Sequence, residues 1–352
     1  METYYLSESG LRDFLGVLTQ DFEVYGTIEQ EDRLTFEGLD SENVKLVTLR
    51  TVRCYESPKA LLFPTTEKIA EYSTSAGGQL PIEQPRRVIV GLRQCDVTAV
   101  QALDKVFLEG DYVDPFYKAR RESTLLLSTD CADAAESCFC TLIGGKPYPT
   151  EGFDINFSPL ADGYIAEVGS ERGAKLLDQY RKFFGTPTEG QLKERENNRE
   201  AIRRKVQEQN KEFEPERPIE EVFSGEIDEK TLQRLAWDCV ECGACTNVCP
   251  ACHCFLMFDR PAAEKGKFER LRSWDSCIFG EYQRMAGVAG MKPNPRPEIR
   301  TRFVNRFLHK YLYFYQLFKM FGCTGCGRCY DACLGGIDPR RVIQEMSKKK
   351  NE

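Results

Sequence analysis

The sequence predicts an α+β fold in three parts. Residues 1–188 form an N-terminal α/β domain, residues 189–227 a charged helical linker, and residues 228–352 a cysteine-rich, α-helical domain. Two observations support this division. Short apolar runs alternate with helical patterns in the first part, and two regular cysteine runs lie in the last part. A chain of 352 residues is long enough for two or three domains.

The first 85 residues read as a small mixed unit. An amphipathic helix is predicted around residues 11–18, where apolar residues recur at helical spacing. The stretches FEVYGTI and NVKLVTL alternate apolar and polar residues and predict strands. Nothing in this unit indicates a particular chemistry.

From Arg86 the pattern predicts strand, helix, strand. RRVIVGL is an apolar run of buried-strand type, and Asp96 is placed to cap a following helix, DVTAVQALDKVF. Asp114 and Pro115 predict the start of a second helix, because proline is favoured in the first turn after a capping residue. STLLLSTDC then returns as a second apolar strand. The helical crossover predicts that the two strands are parallel.

Composition excludes several classes of protein. The net charge of −7 and pI near 5.3 argue against a nucleic-acid binder. The N-terminus METYYLSESG lacks the basic and apolar regions of a secretory signal, so we expect a cytoplasmic protein whose sixteen cysteines are not a disulfide framework. No stretch approaches the roughly 20 apolar residues of a membrane span.

The charge-dense stretch at 189–221 has little apolar surface, and Glu200 and Arg204 stand at helical spacing. Such runs are typical of solvated helices and linkers. A role as an arm that docks a partner is the alternative.

Two cysteine runs have the spacing of iron–sulfur motifs. Cys239, Cys242, Cys245 and Cys249 form CxxCxxCxxxCP, and Cys323, Cys326, Cys329 and Cys333 repeat the spacing without the proline. Three closely spaced thiolates can bind one cubane, while the fourth binds the other cubane in two-cluster ferredoxins. We therefore assign Cys239, Cys242, Cys245 and Cys333 to a first [4Fe-4S] cluster, and Cys249, Cys323, Cys326 and Cys329 to a second. Zinc is the alternative metal, but it is usually held by two separated pairs.

The insert between the runs favours an α-helical ferredoxin domain over a compact ferredoxin. Near its end, IRTRFVNRFLHKYLYFYQLFKMF places Phe303, Phe307, Tyr311, Phe314 and Phe318 on one stripe. Helices, rather than a pair of hairpins, are thus expected to link the motifs. The basic residues and aromatics of this segment also suggest nucleic-acid stacking, but a shared face favours packing on the core or on a partner.

Four further cysteines provide a complete set of cluster ligands. Cys95 and Cys131 each follow one of the two strands predicted to be parallel, whose carboxyl ends share a sheet edge. Cys138 and Cys140 follow closely in CADAAESCFC. A third [4Fe-4S] cluster is expected here, with zinc or redox-active thiols as competing interpretations. The remaining cysteines, Cys54, Cys252, Cys254 and Cys277, are interpreted as small buried residues.

The chain resembles the iron–sulfur β subunit of cytoplasmic sulfhydrogenases and its counterpart in anaerobic sulfite reductase. The resemblance spans nearly the whole chain and includes LRQCDVTAVQALDKVF, CADAAESCFC, CVECGACTNVCPACHC, RSWDSC and CTGCGRCYDAC. It implies two [4Fe-4S] clusters in a helical ferredoxin domain and strengthens the third site. Leu334 and Gln94 stand where such proteins often have proline, and neither removes a ligand.

The resemblance also implies partners. Such a protein relays electrons between a flavoprotein that uses NAD(P)H or ferredoxin and a catalytic subunit that reduces protons, sulfur, sulfite or a heterodisulfide. The sequence contains no GxGxxG or GxxxxGK loop, so flavin and nicotinamide are expected on another chain. The alternatives are an enzyme that reduces sulfur or disulfides with a thiol such as Cys138 or Cys140, and a zinc-stapled scaffold.

Overall fold

A computed structural model describes residues 2–31, 33–73, 77–78, 80, 82–224, 229–287 and 290–348. Its first elements supply strands at both edges of a large sheet and two of the four strands of a small one. In order they are β1 (Thr3–Ser7), α1 (Glu8–Asp21), β2 (Glu23–Gln30), β3 (Arg33–Leu39), the one-turn helix α2 (Lys59–Leu62), β4 (Thr66–Ser73) and β5 (Gly77–Gly78). The predicted helix at residues 11–18 and the strand FEVYGTI are thus confirmed as α1 and β2.

The next elements complete a seven-stranded mixed sheet. They are β6 (Arg87–Leu92), α3 (Gln94–Phe107), α4 (Pro115–Ser123), β7 (Thr124–Thr129), β8 (Ile155–Pro159), β9 (Gly163–Val168) and α5 (Glu171–Gln179). The strand order is β1-β9-β8-β7-β6-β2-β3, and β2, β6, β7 and β8 run parallel. The prediction that the strands before Cys95 and Cys131 are parallel is therefore confirmed.

Helices cover both faces of this sheet. Val88 and Val90 of β6 pack in the cluster that contains the buried face of α1, whereas Ile89 packs in the cluster that contains α3. Alternate residues of a strand point to opposite faces. A strand buried on both faces is continuously apolar, which is why RRVIVGL is recognisable in the sequence.

The predicted strand NVKLVTL is wrong. A 3-10 turn occupies Val44–Leu46, and only Val47 makes an isolated bridge, to Ile28. The side chain of Asp40 accepts hydrogen bonds from the backbone N–H groups of Glu42 and Asn43, at 2.8 and 2.9 Å. Such local side-chain bonds compete with extended structure.

Asp96 is not the N-cap of α3. The helix begins at Gln94 after the N-cap Arg93, so Asp96 is the third helical residue, and its carboxylate accepts from the backbone N–H of Arg93 at 3.3 Å. Cys95 consequently lies in the first turn of the helix. Asp114 does cap α4 as predicted, accepting from the N–H of Tyr117 at 2.8 Å.

The remaining elements form the C-terminal part. They are α6 (Glu189–Glu208), α7 (Ile219–Val222), α8 (Glu229–Ala236), α9 (Ala244–Asn247), β10 (Phe255–Pro261), β11 (Lys267–Trp274), α10 (Ile299–Leu308), α11 (Phe314–Phe318), α12 (Arg328–Asp331) and α13 (Pro339–Ser347). Of the helices within the described ranges, none is long and apolar enough to cross a bilayer.

The insert between the cysteine runs is not purely helical, contrary to expectation. Strands β10 and β11 form an antiparallel hairpin, and β11 pairs with β4 in a second, four-stranded sheet of order β10-β11-β4-β5. Strands from either side of the predicted linker therefore share one sheet. The hairpin was missed because its outer residues are mostly exposed, which leaves a weak alternation signal.

The aromatic segment is helical but interrupted. A π-helical turn, His309–Tyr313, separates α10 from α11. Phe303, Phe307 and Tyr311 pack with α13 in one core cluster, while Phe314 belongs to another. Packing on the core, expected from the shared face, is confirmed for these residues.

The charged helix α6 lies against the large sheet. Arg199 on its inner face is buried and pairs with Asp130 at 2.7 Å and Glu167 at 3.1 Å. Ile202 and Val206 are also buried. The prediction of a solvated helix therefore holds for the outer face of α6 but is wrong for its inner face, which is buried.

Candidate metal centres

The four cysteines assigned to the first cluster line one cavity. Cys239, Cys242, Cys245 and Cys333 all border it. Gly243 precedes α9 as its N-cap, with a φ of 70°, and turns the chain so that the first run wraps around the cavity. Cys242 is exposed, whereas the other three are partly buried. The first cavity therefore has one thiol open to solvent.

The four cysteines assigned to the second cluster line a deeper cavity. Cys249, Cys323, Cys326 and Cys329 border it, together with Lys310. Cys249 and Cys326 are buried, and the other two are partly buried. Cys249 thus lies beside three cysteines of the second run, and Cys333 beside three cysteines of the first.

The four remaining predicted ligands border a third cavity. Cys95 reaches it from the first turn of α3, and Cys131 from the end of β7. Cys138 and Cys140 reach it from the following loop, where Cys140 opens a 3-10 turn. The parallel strands β6 and β7 thus bring Cys95 and Cys131 to one edge of the sheet, as their order in the chain implied.

The three cavities share walls in a definite order. Cys329 and Arg306 border both the first and the second cavity. Cys326 borders both the second and the third. The second cavity therefore lies between the other two.

The loop that carries Cys138 and Cys140 interlocks with the second cysteine run. The N–H of Phe139 donates to the carbonyl of Gly325 at 2.7 Å. Gly325 has a φ of +65°, and a Cβ there would lie 2.5 Å from the Cα of Cys140. A glycine in a cluster motif can let the backbone approach the cluster closely. At Gly325, however, the atoms that a Cβ would meet belong to Phe139 and Cys140.

Two buried arginines join the N-terminal and C-terminal parts around these cavities. Arg328, between Cys326 and Cys329, pairs with Asp96 at 2.8 Å and donates to the carbonyl of Cys54 at 2.9 Å. Arg53 donates to the carbonyl of Cys326 and to the hydroxyl of Ser137. The ligand-bearing segments are therefore cross-linked by charge-assisted hydrogen bonds.

Two more buried cations lie at the second cavity with no carboxylate partner among the residues described. Lys310 donates to Cys249 Sγ at 3.3 Å and to the carbonyl of Gly322 at 2.7 Å. Arg306 lies one helical turn earlier, and its Nε has no hydrogen-bond partner within the described parts of the chain. Burial disfavours the ammonium of Lys310, but thiolates at Cys249 and elsewhere raise its pKa well above the usual value.

This charge distribution fits an anionic iron–sulfur cluster. Isolated buried cations are costly unless they are paired, and a cluster held by four thiolates would supply the missing negative charge. The thiols also lie around cavities rather than around a point. Within the described ranges, no group of three or more His, Cys, Asp or Glu side chains is arranged to hold a single metal ion.

The buried cations and one interaction between thiols were not predicted from the sequence. Arg306 and Lys310 are four residues apart on the aromatic segment, a spacing that already placed them on one face. Cys254 and Cys277 were expected to be small buried residues. Cys277 is buried and Cys254 is partly buried, and the interaction between their thiols is the largest influence on the pKa of each. Nothing in their spacing indicates this interaction.

Comparison with known proteins identifies related chains. Residues 238–337 match the model of a 4Fe-4S dicluster domain. The chain is 27% identical over 339 residues to sulfhydrogenase 2 subunit beta of Pyrococcus furiosus, covering 95% of both chains. These matches confirm the family resemblance predicted from the sequence, that of an iron–sulfur β subunit with a 4Fe-4S dicluster domain.

Proposed function

We propose that this chain is a cytoplasmic electron-transfer subunit that carries three [4Fe-4S] clusters in a row. The observation that carries the proposal is the grouping of twelve cysteines around three cavities that share walls. Contiguous clusters allow electrons to pass from one to the next. The chain's own residues hold the clusters, exclude water from the second, and set its electrostatic surroundings.

The ligand sets are those that the sequence predicts. The first cluster binds Cys239, Cys242, Cys245 and Cys333; the second binds Cys249, Cys323, Cys326 and Cys329; the third binds Cys95, Cys131, Cys138 and Cys140. The relative is named as the β subunit of a sulfhydrogenase, which supports an assembly with other subunits. We propose a flavin- and NAD(P)H-binding partner and a catalytic reductase or hydrogenase partner.

The environment of Cys138 and Cys140 does not favour the thiol-enzyme alternative. Burial, the largest influence on both thiols, raises the pKa of each above its ordinary value. A nucleophilic cysteine needs a lowered pKa, because the thiolate is the reactive form. The two thiols are better suited to binding a metal cluster, whose irons would deprotonate them.

The test is an anaerobic iron and sulfide count with matched variants. Three cubanes correspond to about twelve irons per chain. Cys140→Ser should lower the count to about eight, whereas Cys54→Ser, at a buried cysteine outside all three sets, should leave it at about twelve. A wild-type count of about eight would refute the third cluster, and zinc without iron would refute the proposal as a whole.

A further inference from the structure

Two cysteines outside the three ligand sets meet at the open end of the β10–β11 hairpin. Cys254 immediately precedes β10, and Cys277 follows the end of β11 at Trp274. The backbone N–H of Asp275 donates to the carbonyl of Cys254 at 3.0 Å, which continues the pairing beyond the last ladder pair, Phe255 and Trp274. The pairing brings the two cysteines to the same end of the hairpin, where each is the largest influence on the other's pKa.

Neighbouring contacts hold the pair in place. The Thr246 and Ser276 hydroxyls are 2.8 Å apart, which ties the residue before Cys277 to α9. The N–H of Ile278 also donates to Ser276 Oγ at 3.3 Å. Cys277 is only 8% exposed, and Cys254 is partly buried. The hairpin ladder and α9 therefore restrict the motion of both cysteines.

The two thiols are chemically unequal. The Cys277 hydrogen bond is the main cause that lowers the pKa of Cys254 to about 6; burial opposes it, and the Tyr282 hydroxyl adds to it. The same contact and burial raise the pKa of Cys277. The surroundings therefore favour the thiolate at Cys254 over the thiolate at Cys277. Disulfide oxidoreductases combine a low-pKa attacking thiolate with a resolving thiol in this way.

We propose that Cys254 and Cys277 form a redox-active dithiol that closes to a disulfide by exchange with a low-molecular-weight disulfide. Neither cysteine borders any of the three cavities among the described lining residues. The inference goes beyond the proposed relay and does not depend on it. It assigns the pair a two-electron reaction at sulfur, separate from one-electron transfer through clusters.

The exchange is balanced in two steps. The thiolate of Cys254 attacks one sulfur of the external disulfide, so that a mixed disulfide forms and one external thiolate leaves. That thiolate takes the proton of Cys277, whose sulfur attacks Cys254 Sγ and releases the second external thiolate. The two cysteine sulfurs are oxidised by one electron each, and the two external sulfurs are reduced by one electron each.

The experiment uses the full-length protein with its clusters. It is equilibrated anaerobically in buffers with increasing ratios of glutathione disulfide to glutathione, blocked with N-ethylmaleimide, digested and examined by mass spectrometry. We expect a peptide pair linked through Cys254 and Cys277 that increases with the ratio and disappears on return to glutathione. The cluster absorption should be unchanged.

Variants separate the steps and supply the control. Cys277→Ser should retain glutathione on Cys254, because the resolving thiol is missing. Cys54→Ser should form the linked pair as the unchanged protein does. If Cys277→Ser fails to fold, the titration of the unchanged protein still decides the question.

Two outcomes would overturn the proposal. One is alkylation of both cysteines at every glutathione ratio, which means that no disulfide forms. The other is protection of both until iron is removed, which means that they bind a cluster. The readout is the state of two thiols, whereas the relay is judged by the iron count, so failure of one is distinguishable from failure of the other.

Discussion

At the scale of single residues, Lys310 is the side chain that most directly affects the electrostatics of a predicted cluster. It is buried, it donates to Cys249 Sγ, and no carboxylate in the described chain neutralises it. A nearby positive charge and a hydrogen bond to sulfur both favour the reduced, more negative state of a cluster. Lys310 should therefore raise the reduction potential of the second cluster.

Replacing the lysine tests this role. Lys310→Met should lower the midpoint potential of the second cluster by about 60 mV, since about 1.4 kcal/mol for a charge-assisted hydrogen bond corresponds to about 59 mV for a one-electron couple. An EPR-monitored redox titration measures the shift. Lys319→Met, at an exposed lysine of the same segment, should leave the potential unchanged. Equal shifts in the two variants would mean that Lys310 has no specific role.

Arg328 has a structural role that is measurable as stability. It and Asp96 are almost completely inaccessible and form an ion pair between the second cysteine run and α3. Arg328→Met should lower the free energy of unfolding by about 3–5 kcal/mol, because it leaves a carboxylate buried without its partner. Anaerobic denaturant unfolding measures the change.

Two further variants make the result specific to the ion pair. Arg328→Met combined with Asp96→Asn should recover part of the loss, since the uncompensated charge is removed. Arg234→Met breaks an ion pair with Glu345 whose arginine is largely exposed, and it should cost less than about 1 kcal/mol. A similar small cost for Arg328→Met would contradict the proposed role.

The cysteine ligands were predictable at this scale, and the cations were not. Cluster motifs have a fixed local spacing, so Cys239 to Cys249 can be recognised without knowing the fold. Lys310 and Arg328 acquire their roles from neighbours that are distant in the chain, Cys249 and Asp96. A charged residue is usually exposed, so the sequence alone favours the surface for both.

At the scale of elements, the interlocked loops around the third cavity explain one glycine of the second cysteine run, Gly327. Gly327 has a φ of +75°, and a Cβ there would lie 2.2 Å from the carbonyl oxygen of Ser137. Gly336 has a similar φ of +64°, but a Cβ there would meet open space. An alanine at either position would therefore pay for a left-handed backbone conformation. Only at Gly327 would its Cβ also clash with a neighbouring loop.

Substitution by alanine should separate these costs. Gly336→Ala should destabilise the protein by about 1–2 kcal/mol, the cost of a left-handed residue with a Cβ. Gly327→Ala should cost more and should also lower the iron content, because it pushes the loop of Ser137 away from the second run. Denaturant unfolding and iron analysis of both variants measure this difference. Equal stability and iron content would show that the loop contact is unimportant.

The elements were predictable where the signal was local. The run RRVIVGL, the helix cap at Asp114 and the helix α1 each contain their own evidence, in apolar pattern or capping chemistry. The β10–β11 hairpin, whose alternation is weak, is also held by a partner that the local pattern does not contain, since β11 pairs with β4, nearly 200 residues earlier in the chain. Whether such a segment forms a strand is decided by its cross-strand neighbours more than by its own apolar pattern.

At the scale of the whole molecule, the row of cavities has one end near solvent. Cys242 of the first cavity is exposed. Three large apolar side chains that lie within two residues of Cys239 or Cys333 in the chain are exposed as well: Trp237 (79%), Val240 (61%) and Leu334 (79%). Exposed apolar side chains that form a patch are typical of a protein interface. We infer that electrons cross this surface between the first cluster and a partner protein.

The surface can be tested by placing a charge on it. Val240→Asp should weaken binding of the copurifying partner about tenfold, because a charge placed in the interface must be desolvated; this corresponds to about 1.4 kcal/mol. Affinity measurement on the anaerobically reconstituted complex, with the iron count and midpoint potentials of the variant, separates lost binding from lost clusters.

Tyr112 supplies a matched control, since it is 91% exposed in the connection between α3 and α4. Tyr112→Asp should leave both affinity and electron-transfer rate unchanged. Leu334→Asp, on the other cysteine run, should reproduce the weakening by Val240→Asp, because both residues adjoin cysteines of the first cavity. If the partner binds Val240→Asp and Leu334→Asp as tightly as the unchanged protein, electrons must leave through another surface, and the exposed Cys242 would then mark only the edge of the cluster domain.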